Sequence, residues 1–183
     1  IMDKEALYAL FRARQSDRKF DLQRDVDADT VERIVEGAIT APSAVNQQPY
    51  SVIAVSDRAE AAKIGQAALK GVAINKFVAT APAHLFIIAE RSSVLGSIGN
   101  LIRNINFVPF DIGIFMAYLC LAAEAEGLGS CIIGSLNGNE VARQLGVPKS
   151  KRVVFDIVLG YSTEVKRDKK RRAIEEVLHT GRW

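Results

Sequence analysis

Two clusters of cationic side chains stand near opposite ends of this 183-residue chain. Arg12, Arg14, Arg18 and Lys19 surround Gln15-Ser16-Asp17 near the start, and Lys166, Arg167, Lys169, Lys170, Arg171 and Arg172 crowd the stretch from Glu164 to Arg172. Arginine presents a planar fork of N–H donors that matches a phosphate, and charge-assisted bonds to such an anion are short and strong. An anion site is one reading of these residues. A solvated helix end, whose cations complement the dipole, is the other reading of the first cluster, and a solvated charge run that of the second. A third group is the loop Pro42-Ser43-Ala44-Val45-Asn46-Gln47-Gln48-Pro49. Its two prolines bracket hydroxyl and amide groups that can bond the edge of a planar heterocycle or make turns with their own backbone.

Other chemistries lack their residues. The two histidines, His84 and His179, form no HExxH pair, so no metal site is expected and a Ser-His-Asp triad has few candidates. His84 reads as a strand residue with a satisfied ring. Cys120 and Cys131 lie in apolar surroundings without CxxC or metal spacing, which suits a reduced, cytoplasmic protein. There is no GxxxxGK[ST]. Gly127-Leu128-Gly129 follows a helix and opens a strand, the reverse of a dinucleotide fingerprint. Any phosphate must be held by arginines and lysines rather than by a glycine-rich turn.

The element that must position these groups is the stretch from Phe107 to Leu136. Ile112 to Ala123 is uncharged and apolar all round, which predicts a helix buried on all sides. Pro109 and Asp111 suit its first turn, and Gly127 and Gly129 its end. The apolar run is shorter than a membrane span needs. Ser130 to Ile133 reads as a short buried strand closed by Gly134-Ser135. Elsewhere the pattern predicts a helix over Lys4–Arg14 and another over Val31–Ile39, capped by Asp29 or Thr30, with Ile34, Val35, Ala38 and Ile39 inward. It predicts strands at Tyr50–Val55, Ala83–Ala89 and Val153–Leu159. A helix capped by Asp57 runs to about Leu69, and one capped by Asn137 or Asn139 runs to Leu145. Arg91–Asn106 reads as a lid or an irregular connection, and Ile174, Val177 and Leu178 as a last helical turn or a segment lying across a neighbour.

At 49% hydrophobic and 25% charged residues the composition is globular, and without linker or repeat it predicts one domain over residues 1–183. The net charge of +3 is mild and argues against a general nucleic-acid binder unless the charge is clustered. Neither nucleic acid nor membrane is expected as a partner.

Four segments, in order, resemble the FMN-dependent nitroreductase family. They are Arg14-Gln15-Ser16-Asp17-Arg18-Lys19-Phe20, the Ala41–Pro49 loop, Asp111-Ile112-Gly113 through Gly134, and Leu159-Gly160-Tyr161 followed by Lys169-Lys170-Arg171-Arg172. The resemblance implies an α+β sandwich with a mostly antiparallel sheet around a long central helix. It also implies a homodimer with one FMN per subunit at the interface. By the same resemblance, Arg14 and Ser16 with Lys169 and Arg171 hold the phosphate of the cofactor, Gln15 is a further cofactor-binding residue, and Arg18 stands near N1 and O2 of the flavin. Ile133, Gly134 and Ser135 lie along N5, with a backbone N–H of Gly134 or Ser135 as donor. Pro42, Ser43, Ala44 and Asn46 reach the flavin of the partner subunit, and Asn75 or Lys76 the pyrimidine edge. Ala44 replaces the family's second serine, and Tyr50 a frequent tryptophan. The implied activity is electron transfer from NADH or NADPH to a small electron-poor acceptor, a nitroaromatic or a quinone, with no catalytic side chain of its own. Dehalogenation or flavin breakdown on the same scaffold, and a non-enzymatic protein binding through its basic tail, are the alternatives.

Overall fold

The computed structural model describes residues 3–90 and 105–183. Four strands form one antiparallel sheet: β1 (Tyr50–Val55), β2 (Ala83–Ala89), β3 (Gly129–Ile133) and β4 (Arg152–Gly160), in spatial order β1-β2-β4-β3. The helices are α1 (Lys4–Ala13), α2 (Ala28–Ala38), α3 (Arg58–Ala68), α4 (Val108–Ala125) and α5 (Gly138–Gln144). β2 and β4 are central and covered on both faces, which explains their near-continuous apolar runs. Side chains alternate across a strand. Leu85 and Ile87 of β2, with Ile157 and Leu159 of β4, join α2 and α4 in one core. Phe86 and Ile88, with Val158, Cys131 and Ile133, join α3 and α5 in a second core on the other face. The result is a helix–sheet–helix sandwich, as the resemblance implies. Each fully buried Leu, Ile or Phe in it contributes roughly 1.5–3 kcal/mol.

Cap chemistry sets the helix limits. Asp57 accepts the N–H of Glu60 at 2.9 Å, and Asn137, rather than Asn139, accepts that of Glu140 at 3.0 Å. α2 starts earlier than expected. Asp27 is its cap, accepting from the Thr30 N–H at 2.8 Å and the Thr30 hydroxyl at 2.7 Å, so Asp29 and Thr30 lie inside the first turn. Its burial face is Thr30, Val31, Ile34 and Ala38, while Ile39 turns outward.

α4 differs from a helix buried on all sides. Ile112, Phe115, Met116, Leu119, Cys120 and Ala123 are in the core, but Phe110, Ile114 and Tyr118 form an exposed stripe at i, i+4 and i+8. At 18 residues it reaches the length and apolarity of a membrane span, as the core helix of a globular protein also can. Here it packs on α2, β3 and β4. Of the expected lid at Arg91–Asn106, residues 91–104 lie outside the described residues. The chain after β4 carries a 3-10 turn, Ile174–Glu176, with Ile174, Val177 and Leu178 exposed.

Candidate anion and cofactor site

The N-terminal cluster is positioned by the sheet. α1 ends at Ala13 and the chain becomes extended. Ser16 forms a parallel bridge with Ser130 at the start of β3, and Phe20 an antiparallel bridge with Ser162 beyond β4. The N–H of Asp17 donates to the Ser130 carbonyl at 2.9 Å. An extended segment alternates its faces, so Gln15 and Asp17 turn inward and are buried, while Arg14, Ser16 and Arg18 face out. The tail then returns beside this segment. Lys166 pairs with Glu124 of α4 at 2.6 Å, and the ammonium of Lys169 donates to the Arg12 carbonyl.

The two distant clusters therefore meet in one open cleft of about 300 Å³, lined by Arg14, Gln15, Ser16, Arg18, Arg167, Asp168, Lys169 and Arg171. Partial burial, followed by repulsion from Arg14, Arg171 and Lys166, pulls the Lys169 ammonium below its usual range. A bound dianion would relieve that repulsion, and guanidinium and ammonium donors suit a phosphate.

Gln15 does not present its side chain as expected. Its amide N–H donates to Asp17 Oδ1 at 2.7 Å and to the Val165 carbonyl at 3.3 Å. Its oxygen accepts the N–H of Arg167 at 3.0 Å. Asp17 Oδ1 also accepts from the Ser162 hydroxyl at 2.8 Å. Arg167, quoted in the basic run but not assigned to the site, donates through Nη2 to the Ser16 carbonyl at 2.6 Å and pairs with Glu164 at 3.3 Å. The signal for this inward pair was the two-residue alternation of an extended segment.

The glycines of Gly127-Leu128-Gly129 now have separate reasons. Gly127, at φ +78°, ends α4. Gly129 makes room: a Cβ there would lie 2.8 Å from Asp17 Oδ2 and 2.8 Å from Ser162 Cβ. Gly129→Ala is expected to destabilise the protein by about 1–3 kcal/mol, the usual cost of overpacking. Chemical denaturation of the variant measures it.

β3 acts as a ruler from the cleft. Ser16 lies beside Ser130, and Gly134 is four residues further on, about 13 Å at roughly 3.3 Å per residue. Ile133 is buried in the second core, so only its backbone is available. Gly134 and Ser135 are exposed just past the strand's end. Gly134 leaves little space behind it, since a Cβ would lie 3.2 Å from the Phe155 ring.

The Pro42–Pro49 loop lies elsewhere. Asp111, in the first turn of α4, accepts the N–H of Ala44 at 3.0 Å. The Ser43 hydroxyl oxygen accepts the N–H of Gln48 at 2.9 Å, and Val45, Asn46 and Gln48 have φ of 48°, 54° and 46°. Left-handed backbone at a β-branched, exposed valine is unusual and costly. Pro42 and Asn46 are exposed, and Ser43 and Ala44 half-buried. About 20 Å of helix separates Asp111 from Glu124, the α4 residue that holds the tail beside the cleft. Within one chain the loop and the cleft are at opposite ends of α4. Asn75, at φ 60°, and Lys76 head a 3-10 turn packed on α3 and do not line the cleft.

Neither cysteine offers a nucleophile. Burial pushes both the Cys120 and Cys131 thiols up, so they are protonated at neutral pH. Among the described residues no group of acids, histidines and cysteines could hold a metal ion. His84 is not fully satisfied. Its Nδ1 lies 2.7 Å from Asp156 Oδ2 with both side chains fully buried, and its Nε2 has no partner among the described residues. The acid of this pair was detectable as the one charge inside the apolar run Val153–Leu159.

The fold is an antiparallel α+β sandwich with two cores, and its two cationic segments converge on one cleft at the start of β3. The chain belongs to the nitroreductase family, whose sequence profile matches residues 11–161. It is 28% identical over 166 residues to the FMN reductase (NAD(P)H) of Bacillus subtilis, covering 84% of this chain and 65% of the relative, so it spans slightly under two thirds of that protein's length. A putative NADH dehydrogenase/NAD(P)H nitroreductase of Archaeoglobus fulgidus is 26% identical over 191 residues, with 98% and 99% covered. The fold is shared with the crystal structure of a nitroreductase-like protein from Streptococcus mutans. That match has a TM-score of 0.81 at 17% identity and covers 97% of this chain and 98% of the other.

Proposed function

We propose that this protein is an FMN-dependent oxidoreductase that takes electrons from NADH or NADPH and delivers them to a small electron-poor acceptor, a nitroaromatic or a quinone. The observation that carries the reading is the convergence of Arg14, Ser16, Lys169 and Arg171 at one end of β3, with exposed backbone at Gly134 and Ser135 toward the other. The relatives' names for FMN and NAD(P)H chemistry support it. Bound FMN would accept a hydride from the nicotinamide and pass the electrons on. The chain's own groups bind and orient. Arg14, Lys169 and Arg171 would neutralise the phosphate, and the Ser16 hydroxyl would donate to it. Arg18, on the same outward face two residues along, places positive charge nearer the ring, which favours its reduced, more negative form. A backbone N–H at Gly134 or Ser135 would be the donor available to the ring. Because Gly134 and Ser135 are exposed at the ring end, water can deliver protons there and no acid–base side chain is needed.

A homodimer completes the site in this reading. The loop bearing Pro42, Ser43, Ala44 and Asn46 does not line its own chain's cleft, and in this reading a two-fold partner would bring its loop to the ring end of the site. The exposed stripe Phe110, Ile114 and Tyr118 is an apolar face suited to such a contact. Two free, buried thiols suit a reducing cytoplasm. One site serving reductant and acceptor in turn predicts ping-pong kinetics. Initial rates with NADPH or NADH and a quinone should give parallel double-reciprocal lines; intersecting lines would count against alternation in one site.

A further inference from the structure

We propose that Gln15, Asp17 and Arg167 form a clamp behind the cleft that positions its cations, so that selection of a phosphorylated over an unphosphorylated flavin depends on groups that do not themselves hold the phosphate. This rests on the FMN reading above. The clamp joins segments 150 residues apart in sequence. Gln15 uses both ends of its amide on it: N–H to Asp17 Oδ1 and to the Val165 carbonyl, oxygen to the Arg167 N–H. Asp17 is fully buried and takes a second hydrogen bond from Ser162, whose hydroxyl oxygen accepts the Glu164 N–H at 3.1 Å. Glu164 in turn accepts the Arg18 N–H at 2.9 Å. Arg167 spends Nη2 on the Ser16 carbonyl and on Glu164, which leaves it a brace between the two strands of the cleft rather than its main anion ligand.

Every one of these bonds crosses between the segment carrying Arg14, Ser16 and Arg18 and the segment carrying Lys169 and Arg171, or steadies a group that does. Like charges brought this close repel, so something other than their own attraction must hold the two cationic segments together. The buried amide and carboxylate do so, and Gly129 leaves the space for the carboxylate. The ring end, thirteen or so ångströms along β3 by strand rise, is outside the clamp's reach.

Flavin fluorescence titration with FMN and with riboflavin, on the intact protein and on Gln15→Ala, tests this. Loss of the clamp should reduce the preference for FMN over riboflavin by about tenfold or more, with riboflavin affinity held within about twofold, because only phosphate bonds are misaligned. Ser162→Ala, a milder cut in the same network, should shift the preference in the same direction and keeps the test available if Gln15→Ala does not fold. An unchanged preference in the folded variants, or parallel weakening of both flavins, overturns the clamp while leaving the FMN reading intact. Failure of the unaltered protein to bind either flavin overturns both.

Discussion

Alanine at both Arg14 and Arg171 is expected to weaken FMN binding by at least about 10²-fold at physiological salt, and more at low salt. Two charge-assisted bonds to phosphate are removed, each worth roughly 1.5–3 kcal/mol, and every 1.4 kcal/mol is a factor of about ten. The lower end applies because the cleft is open and salt screens its charges. The fold should be untouched. Neither side chain forms an ion pair with another described residue. The only hydrogen bond that the Arg171 side chain makes among them is to the adjacent Lys170 carbonyl, at 2.8 Å. Equilibrium dialysis of FMN, with thermal unfolding of the flavin-free proteins as control, measures both halves. Unchanged flavin occupancy would remove the phosphate assignment.

His84→Leu is expected to cost about 3–5 kcal/mol of stability, the usual result of leaving one partner of a buried pair alone. That is a large part of the roughly 5–15 kcal/mol that holds a typical domain. His84 and Asp156 are fully buried and 2.7 Å apart, and Asp156 Oδ1 already lacks a partner among the described residues, so the variant strands the whole carboxylate in the second core. Replacing both, His84→Leu with Asp156→Val, should recover most of the loss, since apolar side chains of similar size often equal or improve on such a pair.

The pH dependence has a definite sign. Burial raises the Asp156 carboxyl above its ordinary 3.8, and the neighbouring His84 draws it back only in part. Without His84 the folded protein prefers the neutral acid still more strongly. A raised carboxyl contributes no penalty below its unfolded value and an increasing one as pH climbs toward its folded value. The deficit of His84→Leu should therefore shrink as pH falls toward 4 and grow toward neutrality. Denaturation curves across that range check it.

Much of this fold is written in local chemistry. Tyr50–Val55 and Ala83–Ala89 begin and end where the residues say, because Pro49, Asp57 and Pro82 punctuate them. α2 was less legible at its start, since Asp27, Asp29 and Thr30 are all good caps and only the structure shows which oxygen reaches an N–H three residues on. The exposed stripe of α4 was hidden by its uniform apolarity. A helix without polar residues carries no sign of which face its own chain leaves uncovered.

The site divides in the same way. Arginines and lysines announce an anion, but their meeting depends on a parallel bridge between Ser16 and Ser130 that no local pattern encodes. Gln15 looked like a ligand beside Arg14 and Ser16. Alternation along an extended segment turns it inward to Asp17, making it a support for the site instead. The His84–Asp156 pair requires the register of β2 on β4, in which His84 faces Val158 and Asp156 faces Phe86. Residues 72 positions apart become neighbours only once that register is set.

The visible absorbance spectrum of the purified protein, recorded before and after anaerobic addition of NADH or NADPH, tests the central claim most directly. A flavin spectrum that bleaches with either nucleotide is the predicted result, joining cofactor and reductive half-reaction in one observation. A colourless protein that also takes up no added FMN would contradict it.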